Sequence, residues 1–434
     1  MSKISGTTAI EIADCIRALV QSGDYAPGAA LPPVRELAET LGVNRNTVAA
    51  AYQRLTKAGL AIAQGRLGTS IAAPPGAGEQ EGMSTDSPLI DLAHGNPNRD
   101  WLPDASTLLA GRPLKSALYG EAAILPALRE CGRNWFAPDC PPGWELELTH
   151  GAVDGIERLA VAHLVAGDKV AVEDPCFLGS INALRLGGMR AVGVPIDEEG
   201  MQPQALARAL DDGVRAVLLT PRAGNPTGHS LSSRRADELR RVLSAYPNVL
   251  VIVDDHFALL TESPYYSVIP ASTARWAVLR SVCKGLGPDM RLAFVACDAE
   301  TATRLRTRLA PGMTWVSRLL QTIVGACLGS AEVRAQIDAA RAAYAARRTE
   351  MCAALQAQGI AVFQPSGGLN VWIPVARDAR DVAYALARKG WLVRLGSAYD
   401  VQGQSQAIRV TVSTLADGQA QQFAKDLAHA LRSD

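Results

Sequence analysis

Residues 279–292 read Leu-Arg-Ser-Val-Cys-Lys-Gly-Leu-Gly-Pro-Asp-Met-Arg-Leu, and the fold of most of the chain turns on them. Lys284 follows a short apolar run and precedes a turn rich in Gly and Pro, and Arg291 comes seven residues later. A lysine that condenses with an aldehyde must sit where its amine is partly neutral. A hydroxyl and a cation beside it, Ser281 and Arg291, suit a phosphate. Alone, the stretch reads equally as a surface lysine next to a turn. Three other runs change that reading. Gly151-Ala152-Val153 follows the predicted strand Leu146–Thr149 and can open a helix whose first amides bind a phosphate. Asn225-Pro226-Thr227-Gly228 follows the predicted strand Ala216–Thr220. Asp254-Asp255-His256-Phe257 ends the apolar run Val249–Val253, which reads as a strand buried on both faces. These loops lie at carboxyl ends of predicted parallel strands, where α/β sheets place their ligands.

Working outward, residues 89–434 alternate short Val/Ile/Leu runs with longer amphipathic stretches. VRAVLLTP (214–221), SSRRADELRRVLSAY (232–246) and NVLVIVDD (248–255) are successive examples. Such alternation argues for α/β units around a mostly parallel sheet. The Ala-rich stretch Ser330–Gly359 predicts one or two long helices. Residues 73–88, APPGAGEQEGMSTDSP, hold almost no bulky apolar residue and read as a linker. Extended, that linker spans roughly 50 Å, so its two ends need not touch. The predicted division is therefore 1–72, a linker over 73–88, and 89–434.

Composition narrows the classes. Of 434 residues, 43 are Lys or Arg and 43 are Asp or Glu, so no basic coat covers the whole chain, although one basic module remains open. Hydrophobic residues at 48% and charged residues at 20% suit a soluble globular protein. No apolar run of about 18 residues predicts a membrane span. The N-terminal stretch lacks the apolar block and cleavage site of a signal peptide. Eight scattered Cys without a Cys-x-x-Cys pair, in a chain this long, predict a reduced, cytoplasmic protein. Six His show no metal-ligand spacing, so no metal is expected.

The first 72 residues follow a different pattern. Ile10, Ala13, Ile16, Leu19 and Val20 fall on one face of a helix predicted over Thr8–Ser22. Pro33 opens a short helix over Val34–Leu41. Gly42 turns the chain, and residues 43–47 open a third helix reaching about Ala58, with Val48, Ala51, Tyr52 and Leu55 inward. Helix, Gly turn and helix at this spacing form a helix-turn-helix. The turn presents Asn44, Arg45, Asn46 and Thr47, the side chains that meet base edges and phosphates in a major groove. Leu60-Ala61-Ile62 and Thr69-Ser70-Ile71 read as the strands of a wing, with Arg66 near its tip. Seven basic and five acidic residues give this part a small positive excess, and Arg35, Arg45, Arg54, Lys57 and Arg66 concentrate on the presumed binding elements. A helical domain used for protein contacts is the alternative.

The run LPPVRELAETLGVNRNTVAAAYQRLTKAGLAIAQGRLGTSI (31–71) resembles the winged-helix domain of the GntR family of bacterial transcription regulators. The order and spacing of the loops over residues 90–430 are similar to those of the fold-type I pyridoxal 5′-phosphate (PLP) enzymes, the aminotransferase family. Both modules in one chain resemble the MocR subfamily of GntR regulators. Within it, NRNTVAAAYQRL and DDHF resemble the PtsJ group, whose members are linked to vitamin B6 salvage. The fold class this implies is an N-terminal winged helix-turn-helix joined to a fold-type I α/β domain with a mostly parallel sheet and a smaller C-terminal α/β subdomain.

The resemblance also implies roles. Lys284 would carry PLP through a Schiff base, Asp254 would pair with the pyridine nitrogen, and Asn225 would hydrogen-bond the ring's 3′ oxygen. Phe177 would stack on the ring. Gly151, Ala152, Ser281 and Arg291 would hold the phosphate. Arg409 would clamp the carboxylate of a substrate or of an amino-acid or amine effector. Tyr119 would reach across a homodimer interface. Arg35, Asn44, Arg45, Asn46, Thr47 and Arg66 would face double-stranded DNA. Three positions depart from the family pattern. His256 and Phe257 stand where a Tyr usually donates to the 3′ oxygen, and only His256 can donate. Cys283 stands where a serine often precedes the lysine, and Asn370 where a His is more frequent. These departures leave PLP binding in place and put efficient transamination in doubt. A PLP-responsive DNA-binding regulator is the expected function. A working aminotransferase with an accessory DNA-binding domain is the alternative, and a relic without cofactor is a third.

Overall fold

The computed structural model describes residues 4–63, 65, 68–72, 80–82, 87–109 and 117–432. It divides into two units, Met1–Gly78 and Glu79–Asp434.

In the first unit, helix α1 (Ala9–Gln21) starts at a capping box. The Thr8 hydroxyl accepts the Glu11 amide at 3.2 Å, and the Glu11 carboxylate takes the Thr8 amide at 3.3 Å. Two of the amides a helix start leaves unpaired are thereby satisfied. The buried stripe of α1 is Ile12, Ala13, Ile16 and Leu19. Ile10, which the periodicity places inward, is exposed. Helix α2 (Val34–Leu41) stops at Gly42, whose φ of +66° is in the left-handed region that disfavours a side chain. Helix α3 (Arg45–Lys57) follows at once. Strands β1 (Ala61–Ala63) and β2 (Thr69–Ile71) pair antiparallel as the wing. The chain at Gly28–Leu31 adds a third edge to it, with Ile71 donating to Ala29 at 2.8 Å and Leu31 to Thr69 at 2.8 Å. Ile12, Ile16, Leu37, Val48, Leu55 and Ile71 are buried in one core beneath these elements.

The second unit is built on an eight-stranded sheet. In chain order after β3 (Ile90–Asp91) its strands are β4 (Glu145–Thr149), β5 (Lys169–Asp174), β6 (Arg190–Asp197), β7 (Gly200–Met201), β8 (Ala216–Leu219), β9 (Leu250–Asp254), β10 (Trp276–Ser281) and β11 (Ala293–Cys297). Their order across the sheet is β4-β11-β10-β9-β8-β5-β6-β7. The neighbours from β10 through β6 all pair parallel, while β11 runs antiparallel to both β10 and β4. Every residue of β8, β9, β10 and β11 is buried, which is why these segments are apolar rather than alternating except at Asp254, Arg280 and Ser281 near the strand ends. A smaller layer follows, with β12 (Asn370–Pro374), β13 (Trp391–Leu392), β14 (Arg394–Leu395) and β15 (Ala407–Thr411). There β15 lies between β12 and β14, and β13 pairs with β3. The stretch expected as one or two helices is a single one, Ala331–Ala357.

The segment 73–88 is not a spacer throughout. Residues 80–82 fold onto the second unit, where Gly82 donates to the His94 carbonyl at 2.8 Å and Arg394 donates to the Gln80 carbonyl at 3.3 Å. Composition hid this, because the anchoring uses backbone groups and one acidic side chain rather than apolar burial.

Candidate functional site

The loops that leave β4, β5, β8, β9 and β10, together with the entry to β11, meet at one edge of the sheet. Lys284 lies in a four-residue helical turn, Cys283–Leu286, directly after β10. Its amine donates to the Gly95 carbonyl at 3.1 Å. Burial lowers the amine's affinity for a proton, and the Arg409 charge adds to this, while Glu81 opposes it. Lys284 lines a cleft with Gly95, Gly224, Asn225, His256 and Asn370. Free space in this cleft is about 10 Å³, room for roughly one water.

The acidic doublet at the end of β9 is divided in its contacts. Asp255, fully buried, accepts from Arg222 Nε at 2.7 Å, Arg222 Nη2 at 2.8 Å and Arg280 Nε at 2.9 Å. Arg280 also reaches Asp139 and the Trp135 carbonyl. Asp254, 4% exposed, has no partner for its Oδ1. Its Oδ2 lies 3.5 Å from His256 Nδ1, and that nitrogen likewise makes no hydrogen bond. A buried carboxylate oxygen without a donor is rare enough to point to a missing ligand donor.

The His256 ring lies parallel to Phe177, with centroids 6.3 Å apart and planes 15° apart. Phe257, the other residue at that position, is buried and has no hydroxyl. A third ring stacked between two others at about 3.5 Å from each needs about 7 Å, so a small opening of the pair would admit one.

Gly151 precedes the helix Ala152–His163 with φ +93°, a value that excludes ordinary side chains. A Cβ there would lie 3.4 Å from the Arg291 guanidinium carbon. The guanidinium therefore rests beside the free amides of the helix start, with Ala152 as the first helical residue. Ser281 Oγ accepts the Cys283 amide at 3.2 Å, which leaves its hydroxyl hydrogen to donate elsewhere.

Arg409, on β15 and fully buried, brings a second constellation against the first. Its Nη1 contacts Asn225 Oδ1 at 3.4 Å and the Glu81 carboxylate, and its Nη2 donates to the Ala93 carbonyl at 2.6 Å. Glu81 Oε1 also accepts from Asn225 Nδ2 at 3.1 Å and from the Tyr399 hydroxyl at 3.0 Å. Although burial opposes ionisation, Arg409 and Lys284 hold the Glu81 carboxyl below its usual range. Asn370 supports Asn225 at 3.3 Å and accepts from the Thr411 hydroxyl at 2.9 Å. Sequence reasoning missed Glu81, Tyr399 and the Gly95 carbonyl. The acidic, Gly-rich composition around Glu81 and the 328-residue separation from Arg409 carry no local signal.

Tyr119 is not brought to this cluster. It is 92% exposed, and its ring packs edge-on against Trp315 at 5.6 Å. Leu118, Met313 and Leu319 are exposed on the same two chain segments.

In the first unit, Asn44, Arg45 and Asn46 are exposed at the start of α3, and Thr47 is half-buried. Asn44 Oδ1 accepts the Asn46 amide at 2.8 Å, so that oxygen is committed to capping the helix. Arg35 on α2 pairs with Glu39 at 3.1 Å on the exposed surface. Arg66 lies outside the described residues.

Comparison with known proteins agrees with both halves. Residues 8–71 match the family described as bacterial regulatory proteins, gntR family, and residues 85–427 match aminotransferase class I and II. The chain is 50% identical over 428 residues, 99% of each chain, to the vitamin B6 salvage pathway transcriptional repressor PtsJ of Salmonella typhimurium. It is 26% identical over 413 residues, 90% of this chain and 88% of the other, to the pyridoxine biosynthesis transcriptional regulator PdxR of Corynebacterium glutamicum. Among solved structures, kynurenine aminotransferase of Pyrococcus horikoshii superposes with a TM-score of 0.72 at 21% identity, covering 80% of this chain and 91% of that one. That likeness establishes the fold of the second unit.

Proposed function

The chain belongs to the class I and II aminotransferase family and carries a GntR-family domain ahead of that region, and on this premise we propose a PLP-responsive repressor of vitamin B6 salvage genes. The observation that carries this is the end-to-end likeness to a vitamin B6 salvage repressor, which includes both the DNA-reading and the aminotransferase-like unit. The residues of the cleft fit PLP. Asp254 Oδ1 is a buried acceptor in want of a donor, which a pyridinium N–H supplies. Phe177 and His256 offer two parallel faces for the ring. Gly151, Ala152, Ser281 and Arg291 offer amides, a hydroxyl and a cation to the phosphate. When bound, PLP supplies an aldehyde that condenses with primary amines. Lys284 presents an amine that burial keeps closer to its nucleophilic, neutral form. Asn225 would offer its amide to the ring oxygen, and Arg409 its buried cation to the carboxylate of an amino-acid or amine effector.

In the first unit, α3 enters the major groove, with Arg45, Asn46 and Thr47 toward bases and phosphates, and Arg35 toward the backbone. Two copies of the chain pair through the surface that carries Leu118, Tyr119, Met313 and Leu319, and a dimer with two readers takes a two-part operator. Its place is the cytoplasm, with the chromosome; among the described residues no helix is long and apolar enough to cross a membrane.

The test is chromatin immunoprecipitation with sequencing, in cells grown with scarce and with abundant vitamin B6. Bound fragments should lie beside genes that take up or phosphorylate B6 vitamers, and occupancy should change with supply. Fragments unrelated to B6, or occupancy as indifferent to supply in the wild type as in Lys284→Ala, would overturn the proposal.

A further inference from the structure

Arg409 is the cation that an incoming carboxylate should meet, yet its guanidinium already holds the carboxylate of Glu81. The Glu81 oxygen that faces it also takes the Asn225 amide and the Tyr399 hydroxyl. Glu81 therefore occupies two groups at once: the carboxylate clamp and the amide assigned to the ring oxygen. We propose that Glu81 is a built-in competitor for the site, a tethered carboxylate that any carboxylate-bearing ligand must displace from Arg409. This rests on the regulator reading above and deepens it, because it names what a carboxylate ligand must displace on entering the site.

The hold is incomplete, as a displaceable occupant requires. Glu81 engages Arg409 through one oxygen only. Its Oε2 is buried without a partner, and so is Arg409 Nε. A free carboxylate is not restricted by a backbone and can use the guanidinium as a two-pronged donor, the stronger geometry. The cleft beside Lys284 has free space for roughly one water, so a ligand enters only if something moves. Among the described residues, the Glu81 segment is also held by backbone bonds at Gln80 and Gly82, which a local shift can break.

The test uses full-length, PLP-loaded protein and maleate, a small dicarboxylate that cannot condense with PLP. Calorimetric titration compares wild type with Glu81→Gln and Glu81→Ala. A tethered group competes at an effective concentration of order millimolar, so both variants should bind maleate about tenfold more tightly or better. Equal dissociation constants in all three proteins, or no maleate binding by any, would overturn the proposal. A second measurement does not depend on those variants. Endoproteinase Glu-C needs a free glutamate side chain, and in Glu79→Gln protein the remaining site in the segment is Glu81–Gly82. Cleavage there should be slow without maleate and at least tenfold faster at saturation. Equal rates would overturn the proposal. The PLP absorbance band and operator affinity, measured on the same proteins, separate the two readings. If both fail in wild type, the regulator reading falls; if both hold while maleate affinity ignores Glu81, only the inference here falls.

Discussion

The two aspartates at the end of β9 should respond in opposite ways to the same substitution. Asp255→Asn removes the charge that compensates two buried guanidiniums. Three donors, at 2.7, 2.8 and 2.9 Å, converge on a side chain with no exposure, and Arg280 is itself fully buried. Breaking one side of a buried ion network leaves uncompensated charge and costs about 3–5 kcal/mol. At roughly 2 °C per kcal/mol for a unit this large, the melting temperature of the second unit falls by roughly 6–10 °C. Asp254→Asn removes a charge whose Oδ1 has no partner, so the cofactor-free protein should keep its stability within about 1 kcal/mol. Its loss should appear in PLP binding instead. A charge-assisted hydrogen bond contributes about 1.5–3 kcal/mol, so the dissociation constant rises about 10- to 150-fold. Differential scanning calorimetry of cofactor-free protein, followed by PLP titration in absorbance, reads both effects. Equal losses of stability in the two variants, or an Asp255→Asn protein that melts like wild type, would refute the division of roles.

Other expected outcomes follow from the same geometry. Arg45→Ala should weaken operator binding and lower the salt slope of the affinity by about one unit, with PLP uptake unchanged, as measured by anisotropy at several salt concentrations. Arg291→Ala should raise the PLP dissociation constant about 10- to 150-fold by loss of the phosphate contact, read by absorbance titration. Competitive acetylation across pH should give Lys284 a midpoint below that of surface lysines, because burial disfavours its charged form. Since the Glu81 charge raises that value, Glu81→Gln should move the midpoint further down. The same depression means Lys284 subtracts from stability below its folded midpoint, and the penalty disappears as pH rises toward its unfolded value of about 10.4.

Much of the fold is legible in residue patterns because burial writes it there. β8 through β11 are apolar on both faces, apart from Asp254, Arg280 and Ser281 near the strand ends, because helices cover both faces of the sheet. The turn between α2 and α3 is legible because φ of +66° at position 42 calls for Gly. The ligand loops are legible because they sit at strand ends. What stayed hidden depends on long-range partners. Asp254 and Asp255 are chemically identical neighbours, and only Arg222 and Arg280 distinguish them. His256 keeps its capacity to donate in any sequence-level reasoning, and only its parallel placement against Phe177 shows a stacking face. Ile10 begins a repeat of three, which drifts off a 3.6-residue stripe, so it faces outward while Ile12 fills the core position. Glu81 lies in a stretch whose composition resembles a solvated tether, and its partner Arg409 is supplied from β15.

The central claim is that the cleft around Lys284 governs the winged helix. The most direct measurement is operator affinity at one fixed salt concentration, for PLP-free and PLP-loaded protein, in wild type and in Lys284→Ala. The account predicts that PLP shifts the dissociation constant or the footprint in wild type and leaves the variant unmoved. Identical affinity and footprint with and without PLP in wild type would contradict it.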